Sequence, residues 1–118
     1  MRVRRRVRAA IALALLLSAA PASAAEQTWL LGRWEMTRDP DGSPKDWLEF
    51  APDGRVAAVK LNGQRLTGRY VATESEVALT FKVGNESVII NLTVDTDKKL
   101  LYARSATTGN TAVYEKQR

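Results

Sequence analysis

The amino-acid sequence predicts an all-β protein, a small barrel of eight antiparallel strands in up-and-down order. Short runs of β-branched, leucine and aromatic residues recur along the chain, with turn residues between them about every eight to twelve positions. An apolar stripe with the 3.6-residue period of an amphipathic helix never persists over three turns. Closure of such a meander into a barrel is favoured, because it removes the strand edges that would pair with other chains.

Eight segments have the composition of strands, and residues that favour turns separate each segment from the next. The segments are residues 30–37, 47–50, 55–61, 65–73, 76–83, 87–94, 99–104 and 111–116. Most turns pair a glycine with an aspartate or asparagine, residue types that tolerate positive φ or bond to their own backbone. The longest connection, residues 38–45, contains Pro40 and Pro44, which cannot donate to a strand ladder. It is therefore predicted to be a loop over one end of the barrel.

Alternation along the strands predicts which side chains face the barrel interior. On the first strand Trp34 shares a side with Leu30, Gly32 and Met36, while the charged residues occupy the other side. The same test assigns inward positions on four more strands: Leu48, Phe50, Leu66, Gly68, Tyr70, Val77, Leu79, Phe81, Val83, Val88, Ile90, Leu92 and Val94. For the third strand, alternation does not decide which of two sets of residues faces inward. The inward faces of the seventh and eighth strands are not decided either. The two sets of the third strand are Val56, Ala58 and Lys60 against Ala57, Val59 and Leu61.

The first twenty-four residues have the three-part layout of a secretory signal peptide. Five arginines lie among residues 1–8, an apolar run covers residues 9–20, and residues 22–24 form a small-x-small cleavage site. The run is shorter than the roughly twenty residues needed to span a bilayer, so no stable membrane insertion is expected after cleavage. We expect one exported domain, residues 25–118, in the periplasm or outside the cell. Consecutive arginines at residues 4–6 leave the twin-arginine route open beside the general secretory route.

Removal of the signal peptide also removes the basic excess of the chain. The full sequence has 18 Lys and Arg against 13 Asp and Glu, and without the five N-terminal arginines both counts are 13. Nucleic-acid binding needs a surplus of cations, so a nucleic-acid partner is not expected. The chain has no cysteine, which rules out disulfides and a lipidated N-terminal cysteine. The expected state is a monomer held together by packing alone.

The chain is poorly supplied with catalytic and metal-binding groups. It has no histidine, which is the commonest general base, and no cysteine, which supplies the thiolate nucleophile. Both residues are also the favoured soft metal ligands. Carboxylates at 74 and 76, or at 95 and 97, could serve as a glycosidase pair, but they lie in predicted turns. Asp39, Asp41 and Asp46 surround Gly42 without the spacing of a calcium-binding loop. We expect no catalytic residue, no metal site and no cofactor.

Six aromatic side chains are the candidates for binding a ligand or partner. Four of them face the predicted interior, namely Trp34, Phe50, Tyr70 and Phe81. There they form either a plain core or the wall of a ligand site, since an eight-stranded barrel holds only its own side chains or one small ligand. Trp29 precedes the first strand and Trp47 follows the proline loop, so both are placed at a barrel rim. An indole there either caps the core or contacts a partner.

Four basic residues lie close together on the third and fourth strands: Arg55, Lys60, Arg65 and Arg69. They form either a patch for an acidic partner or solvated charges that keep strand edges from pairing. Because side chains alternate along a strand, only some of the four can share a face.

Three motifs together resemble the pattern of small bacterial lipocalin-like domains. The first strand opens with LGRW, residues 48–56 read LEFAPDGRV, and residues 66–70 read LTGRY. The resemblance covers nearly the whole predicted mature domain, although Gly-x-Trp also opens avidin-like barrels. It implies that the indole of Trp34 crosses the closed base of a barrel, against an arginine from a late strand, a position that no basic residue of this chain matches uniquely. The candidates for that position are Arg104, Lys116 and Arg118.

The resemblance further implies binding of small apolar molecules or of other proteins. The first expectation is a non-catalytic exported module that binds a small apolar ligand in or at the mouth of the barrel. The alternative is a protein-binding module, such as an inhibitor of a secreted or periplasmic hydrolase, acting through Trp29, Trp47 and the loop at 38–45. A ligand binder predicts a cavity behind Trp34 and Tyr70, whereas an inhibitor predicts a filled barrel with an exposed aromatic patch.

Overall fold

A computed structural model describes residues 27–117, in which the chain forms eight antiparallel strands. The strands are β1 (Gly32–Arg38), β2 (Asp46–Phe50), β3 (Arg55–Lys60), β4 (Arg65–Ala72), β5 (Glu76–Val83), β6 (Glu86–Val94), β7 (Leu100–Arg104) and β8 (Thr111–Lys116). Each strand pairs with the next, and β8 pairs with β1, so the sheet closes into an up-and-down barrel. The predicted barrel is confirmed. The predicted signal peptide, residues 1–24, lies outside the described residues.

The two ends of the barrel differ in how they are covered. A short 3₁₀ helix, Thr28–Leu30, precedes β1 at the end that we call the base. The opposite end, which we call the mouth, carries the connections at 39–45, 61–64, 84–85 and 105–110. In the part of the chain that the structure describes, no helix is long and apolar enough to cross a bilayer.

The interior is filled mainly by side chains that the alternation predicts to face inward. Eleven predicted inward residues belong to one buried cluster: Leu30, Trp34, Met36, Leu48, Phe50, Tyr70, Val77, Leu79, Phe81, Leu92 and Val94. Leu101 of β7 and Tyr114 of β8 join the same cluster, from the two strands whose faces the sequence left open. The rings of Phe50 and Tyr70 meet edge to face, with 5.1 Å between their centroids.

Four large hydrophobic residues predicted to face inward, all toward the mouth, are exposed instead of buried: Leu66, Val83, Val88 and Ile90. The reason is the unequal length of the strands. The pairing of β5 with β6 continues to Val83 and Glu86, whereas β6 pairs with β7 only from Leu92 to Val94. The hairpin of β5 and β6 therefore projects beyond the end of β7, and this part of β6 has no β7 strand paired beside it.

Strand β3 is buried on both faces near its middle, which explains why its pattern is ambiguous. Val56 faces the interior and belongs to the core cluster. Ala57 and Val59 face the outer wall, yet only 6% and 8% of their surfaces are exposed. Val59 lies between Trp47 of β2 and Arg65 of β4 in the strand register. Large neighbours on the outer wall cover these two small side chains.

Candidate functional site

The inner face of the projecting hairpin, together with Leu66 of β4, forms an apolar surface at the mouth, which we name the mouth patch: Leu66, Val83, Val88 and Ile90. Their exposed fractions are 37%, 54%, 40% and 37% respectively. In the strand register Phe81 pairs with Val88 on one side and, on the other, with Gly68, the second residue after Leu66. Aliphatic side chains that face inward and still meet solvent offer a contact surface to an apolar molecule.

The floor of the mouth patch is Phe81, which is buried beneath it. Its cross-strand partner is Gly68, where an added Cβ would lie 2.3 Å from the Thr80 carbonyl oxygen and 2.6 Å from the Phe81 ring. No side chain fits that space, so the glycine allows the ring to pack directly on the β4 backbone. Among the four aromatic residues predicted to contact a ligand, Phe81 lies next to the mouth patch.

The other three predicted ligand contacts lie deeper in the barrel, where they pack against one another and the core. Phe50 and Tyr70 form the edge-to-face pair, and the Tyr70 hydroxyl donates to the Ala51 carbonyl oxygen at 2.7 Å. Burial raises the pKa of Tyr70. Trp34 is fully buried, and its indole Nε1 donates to the Leu30 carbonyl oxygen at 2.9 Å. These three side chains have the contacts of a packed core.

The base of the barrel is closed by a cation and two indoles. The Lys116 Nζ lies 5.3 Å from the centroid of the Trp34 ring, so Lys116 is the basic late-strand residue at the position that the resemblance implied. It donates to the carbonyl oxygens of Trp29, at 2.7 Å, and of Leu31. Burial lowers the pKa of Lys116. The ring of Trp29 packs edge to face on Trp34, with 6.4 Å between centroids, and therefore covers the base of the core.

A polar pair stands at the opposite end, on the inner side of the mouth. The Tyr114 hydroxyl donates to the Asp46 carboxylate at 2.7 Å. Burial is the main cause that raises the pKa of Asp46, although the hydrogen bond from Tyr114 and the charge of Lys60 act in the other direction. Burial, together with the carboxylate beside it, raises the pKa of Tyr114.

The proline loop is tied down beside this pair. Asp41 accepts hydrogen bonds from the Thr108 hydroxyl at 2.8 Å and from the Asn110 side-chain amide at 2.7 Å, which links the loop to the β7–β8 connection. The Asp39 carboxylate accepts from backbone N–H groups of its own loop. The three aspartates near Gly42 thus bind separate partners, and within residues 27–117 no three acidic side chains gather as metal ligands.

Trp47 lies on the outer wall near the mouth, half-buried, while Trp29 lies at the base. The guanidinium of Arg33 lies 5.0 Å from the centroid of the Trp47 ring. The structure therefore does not bring the two tryptophans predicted to bind a partner into one patch. Trp47 and the proline loop do lie at the same end of the barrel.

Two adjoining grooves run along the outer wall. The first, of about 480 Å³, spans β1 to β4, and Glu49 at its centre pairs with Arg33 at 3.6 Å and with Arg65 at 2.8 Å. The second, of about 240 Å³, spans β3 to β5, and we name it the Arg69 groove. Its lining residues are Arg55, Thr67, Gly68, Arg69, Thr80 and Lys82.

The grooves divide the basic residues that lie close together in the sequence. Three of them lie on the outer wall: Arg55, Arg65 and Arg69. Lys60 instead has the inward parity of β3, and its cross-strand neighbour in the register is Asp46 at the mouth. Lys82 from β5 joins the outer-wall group, and the sequence analysis missed it because β5 is not adjacent to these residues in the chain. The register of β4 with β5 is the signal that brings it there.

Comparison with protein-family models, with curated proteins and with solved structures gives no match for this chain.

Proposed function

We propose that this protein is a non-catalytic, exported binding protein of the lipocalin-like type, and that it takes a small apolar ligand at the mouth of its barrel. The mouth patch is the single observation that carries the proposal. A contiguous apolar surface on a small protein commonly marks a site of interaction. The residues of the mouth patch have the inward parity of the barrel strands, and the mouth of a β-barrel is a common setting for a small-molecule site.

The ligand in this proposal lies above Phe81 and not between Trp34 and Tyr70. The lower barrel is occupied by its own packed side chains, with Trp34 fully buried and hydrogen-bonded. The walls available to a ligand are aliphatic and belong to β4, β5 and β6. Such walls select by shape and apolar area, so we expect the protein to accept several hydrocarbon-like molecules of similar size.

Export and the lipocalin-like family rest on the sequence. The tripartite N-terminal segment supports passage to the periplasm or beyond. The Gly-x-Trp motif, with the indole of Trp34 beside Lys116 at the base, supports the lipocalin-like assignment. A ligand site at the open end of the barrel is consistent with both.

The test is a titration of the protein with a neutral apolar fluorophore, N-phenyl-1-naphthylamine, in wild-type protein and two variants. Ile90→Asn places an amide in the mouth patch, and we expect it to weaken binding by about tenfold or more. Ile89→Asn is the matched control, because Ile89 is the adjacent isoleucine, is exposed and faces the outer wall. It should change the affinity by less than about twofold.

Equal effects of the two substitutions, or no binding by the wild-type protein, would contradict the proposal. Sedimentation at several protein concentrations is run in parallel. A wild-type dimer that Ile90→Asn converts to a monomer would mean that the mouth patch is covered by a second copy instead of a small ligand.

A protein-binding function is the second candidate, and the pair formed by the exposed Arg33 and the half-buried Trp47 favours it. Arginine and tryptophan are the residue types that most often dominate protein interfaces. The loop at 39–45 lies at the same end of the barrel and is held by Asp41. Capture of a secreted hydrolase by the wild-type protein but not by Trp47→Ala, with unchanged fluorophore binding, would support this function over the first.

A further inference from the structure

The Arg69 groove concentrates positive charge in a protein whose predicted mature domain is neutral. Arg55, Arg69 and Lys82 line it, and no carboxylate does. In residues 27–117, the ion pairs involve Arg33, Lys45, Arg55 and Arg65, and neither Arg69 nor Lys82 takes part in one. The groove therefore has cations without a lining carboxylate, whereas in the neighbouring groove Arg33 and Arg65 both pair with Glu49.

The strand register indicates that this concentration of charge lowers the stability of the folded protein when no anion is bound. Arg55 and Arg69 are direct cross-strand partners. Like charges at such positions destabilise a sheet. Arg55 has a partial counter-charge in Asp53 at 3.4 Å, but both side chains are more than half exposed, so the pair is weak. An anion bound between the two guanidinium groups would remove the repulsion.

The uncharged lining of the groove suits an oxyanion as well. Thr80 is the cross-strand partner of Arg69, and Thr67 is the second residue before Arg69 on the same face of β4. Both threonines are exposed, so their hydroxyls are open to a ligand. Gly68, between Thr67 and Arg69, lines the groove with backbone only. Two guanidinium groups, one ammonium and two hydroxyls are donors of the kind that hold phosphate and sulfate oxygens.

We propose that the Arg69 groove binds a phosphate or sulfate group of an anionic ligand. This site is on the outer face of β4 and β5, and the mouth patch is on the inner face of the same strands. It does not depend on the proposed apolar ligand.

The first experiment measures binding of inorganic phosphate and of inorganic sulfate at low ionic strength, by the shifts of backbone amide resonances. We expect saturable shifts at residues 67–69 and 80–82, with a dissociation constant of about 1 mM. Arg69→Gln should weaken binding by about tenfold. Arg65→Gln is the matched control, because it removes an arginine from the same strand and face that is already paired with Glu49. It should weaken binding by less than about threefold.

Thermal unfolding gives a second readout that a purely structural role of Arg69 would not produce. In buffer without phosphate, Arg69→Gln should leave the melting temperature unchanged or raise it, because it removes the repulsion with Arg55. Added phosphate should raise the melting temperature of the wild-type protein and not that of the variant. A lower melting temperature for the variant in phosphate-free buffer, or equal effects of Arg65→Gln and Arg69→Gln on phosphate binding, would overturn the proposal.

Vesicles distinguish the two sources of the anionic group. Retention on phosphatidylglycerol vesicles but not on phosphatidylcholine vesicles, lost in Arg69→Gln and competed by free phosphate, would identify a lipid headgroup. Binding of free phosphate without retention on either vesicle would indicate a soluble anionic ligand instead of a lipid headgroup. Absence of both would overturn the proposal.

Discussion

Trp34 joins the first strand to the base of the barrel by three different contacts. Its ring packs against Trp29, its Nε1 donates to the Leu30 carbonyl oxygen, and the Lys116 ammonium group lies over its face. One side chain thus holds the 3₁₀ helix, β1 and β8 together.

Replacement of Trp34 by alanine should therefore cost stability even if the residue has no contact with a ligand. We expect Trp34→Ala to lower the free energy of unfolding by about 3–5 kcal/mol, as for other large truncations in a core. Trp47→Ala, on the half-exposed outer wall, should cost about 1 kcal/mol. Urea denaturation of both variants measures the difference. An unchanged stability of Trp34→Ala would mean that the indole does not close the base.

Asp46 differs from Trp34, because the negative charge of its half-buried carboxylate lowers the stability of the folded protein. Its pKa is above the ordinary 3.8 in the folded protein, mainly because of burial. The folded state then holds the proton more tightly than the unfolded state. The contribution of Asp46 to stability is therefore most favourable below the unfolded pKa and falls as the pH rises through the folded pKa, beyond which the loss is constant.

Asp46→Asn removes this charge and keeps an oxygen that accepts from the Tyr114 hydroxyl. The variant should be at least as stable as the wild type at pH 7, and the difference between them should shrink as the pH falls toward about 4. Melting temperatures measured across this range test the expectation. Tyr114→Phe is the control, because it leaves the half-buried carboxylate without its donor and should destabilise the protein by about 1–3 kcal/mol. A less stable Asp46→Asn at pH 7 would contradict this view of Asp46.

At the scale of the strands, alternation predicts which way side chains point but not how far the neighbouring strand extends. The inward parity of Val88 and Ile90 is correct, yet both are exposed. Their burial depends on β7, which pairs with β6 only beyond Asn91. The mouth patch could not be predicted for that reason, because the sequence of a strand does not indicate how far the neighbouring strand extends.

Strand β3 shows the other limit of alternation. Ala57 and Val59 are buried on the outer wall between larger residues of the adjacent strands. Glu49 and Thr67 lie beside Ala57, and Trp47 and Arg65 lie beside Val59. Two buried faces erase the period of two that a half-buried strand displays. The sequence therefore predicts the existence and position of β3 but leaves its orientation open.

The projecting hairpin should be the least protected paired region of the sheet. Every second N–H of β6 between Glu86 and Ile90 points away from β5, toward a side where β7 is absent. Amide hydrogen exchange should be faster there than at Leu92 to Val94 by about a thousandfold or more. Slow exchange of these amides in dilute monomeric protein would contradict the projecting geometry.

For the whole molecule, alternation on β4 and β5 produces two surfaces of different chemistry on the same strands. Leu66 and Val83 face the mouth, while Arg69 and Lys82 face the outer wall. The two proposed sites are back to back across a single sheet layer. A substitution on one face leaves the side chains of the other in place, so the two binding functions can be removed separately.

The closed order of strands also has a consequence for the connectivity of the chain. Every strand pair except β1 with β8 is joined by a short connection, and at that one seam the Gln117 N–H donates to the Arg33 carbonyl oxygen at 2.8 Å. Gln27 and Gln117 therefore both lie near the base. A linker that joins the two ends across the seam would give a circular chain of antiparallel strands. That chain could then be opened at another turn. Opening it between Asn62 and Gly63 would give a circular permutant whose new ends emerge at the mouth, beside the mouth patch, where a reporter could be fused.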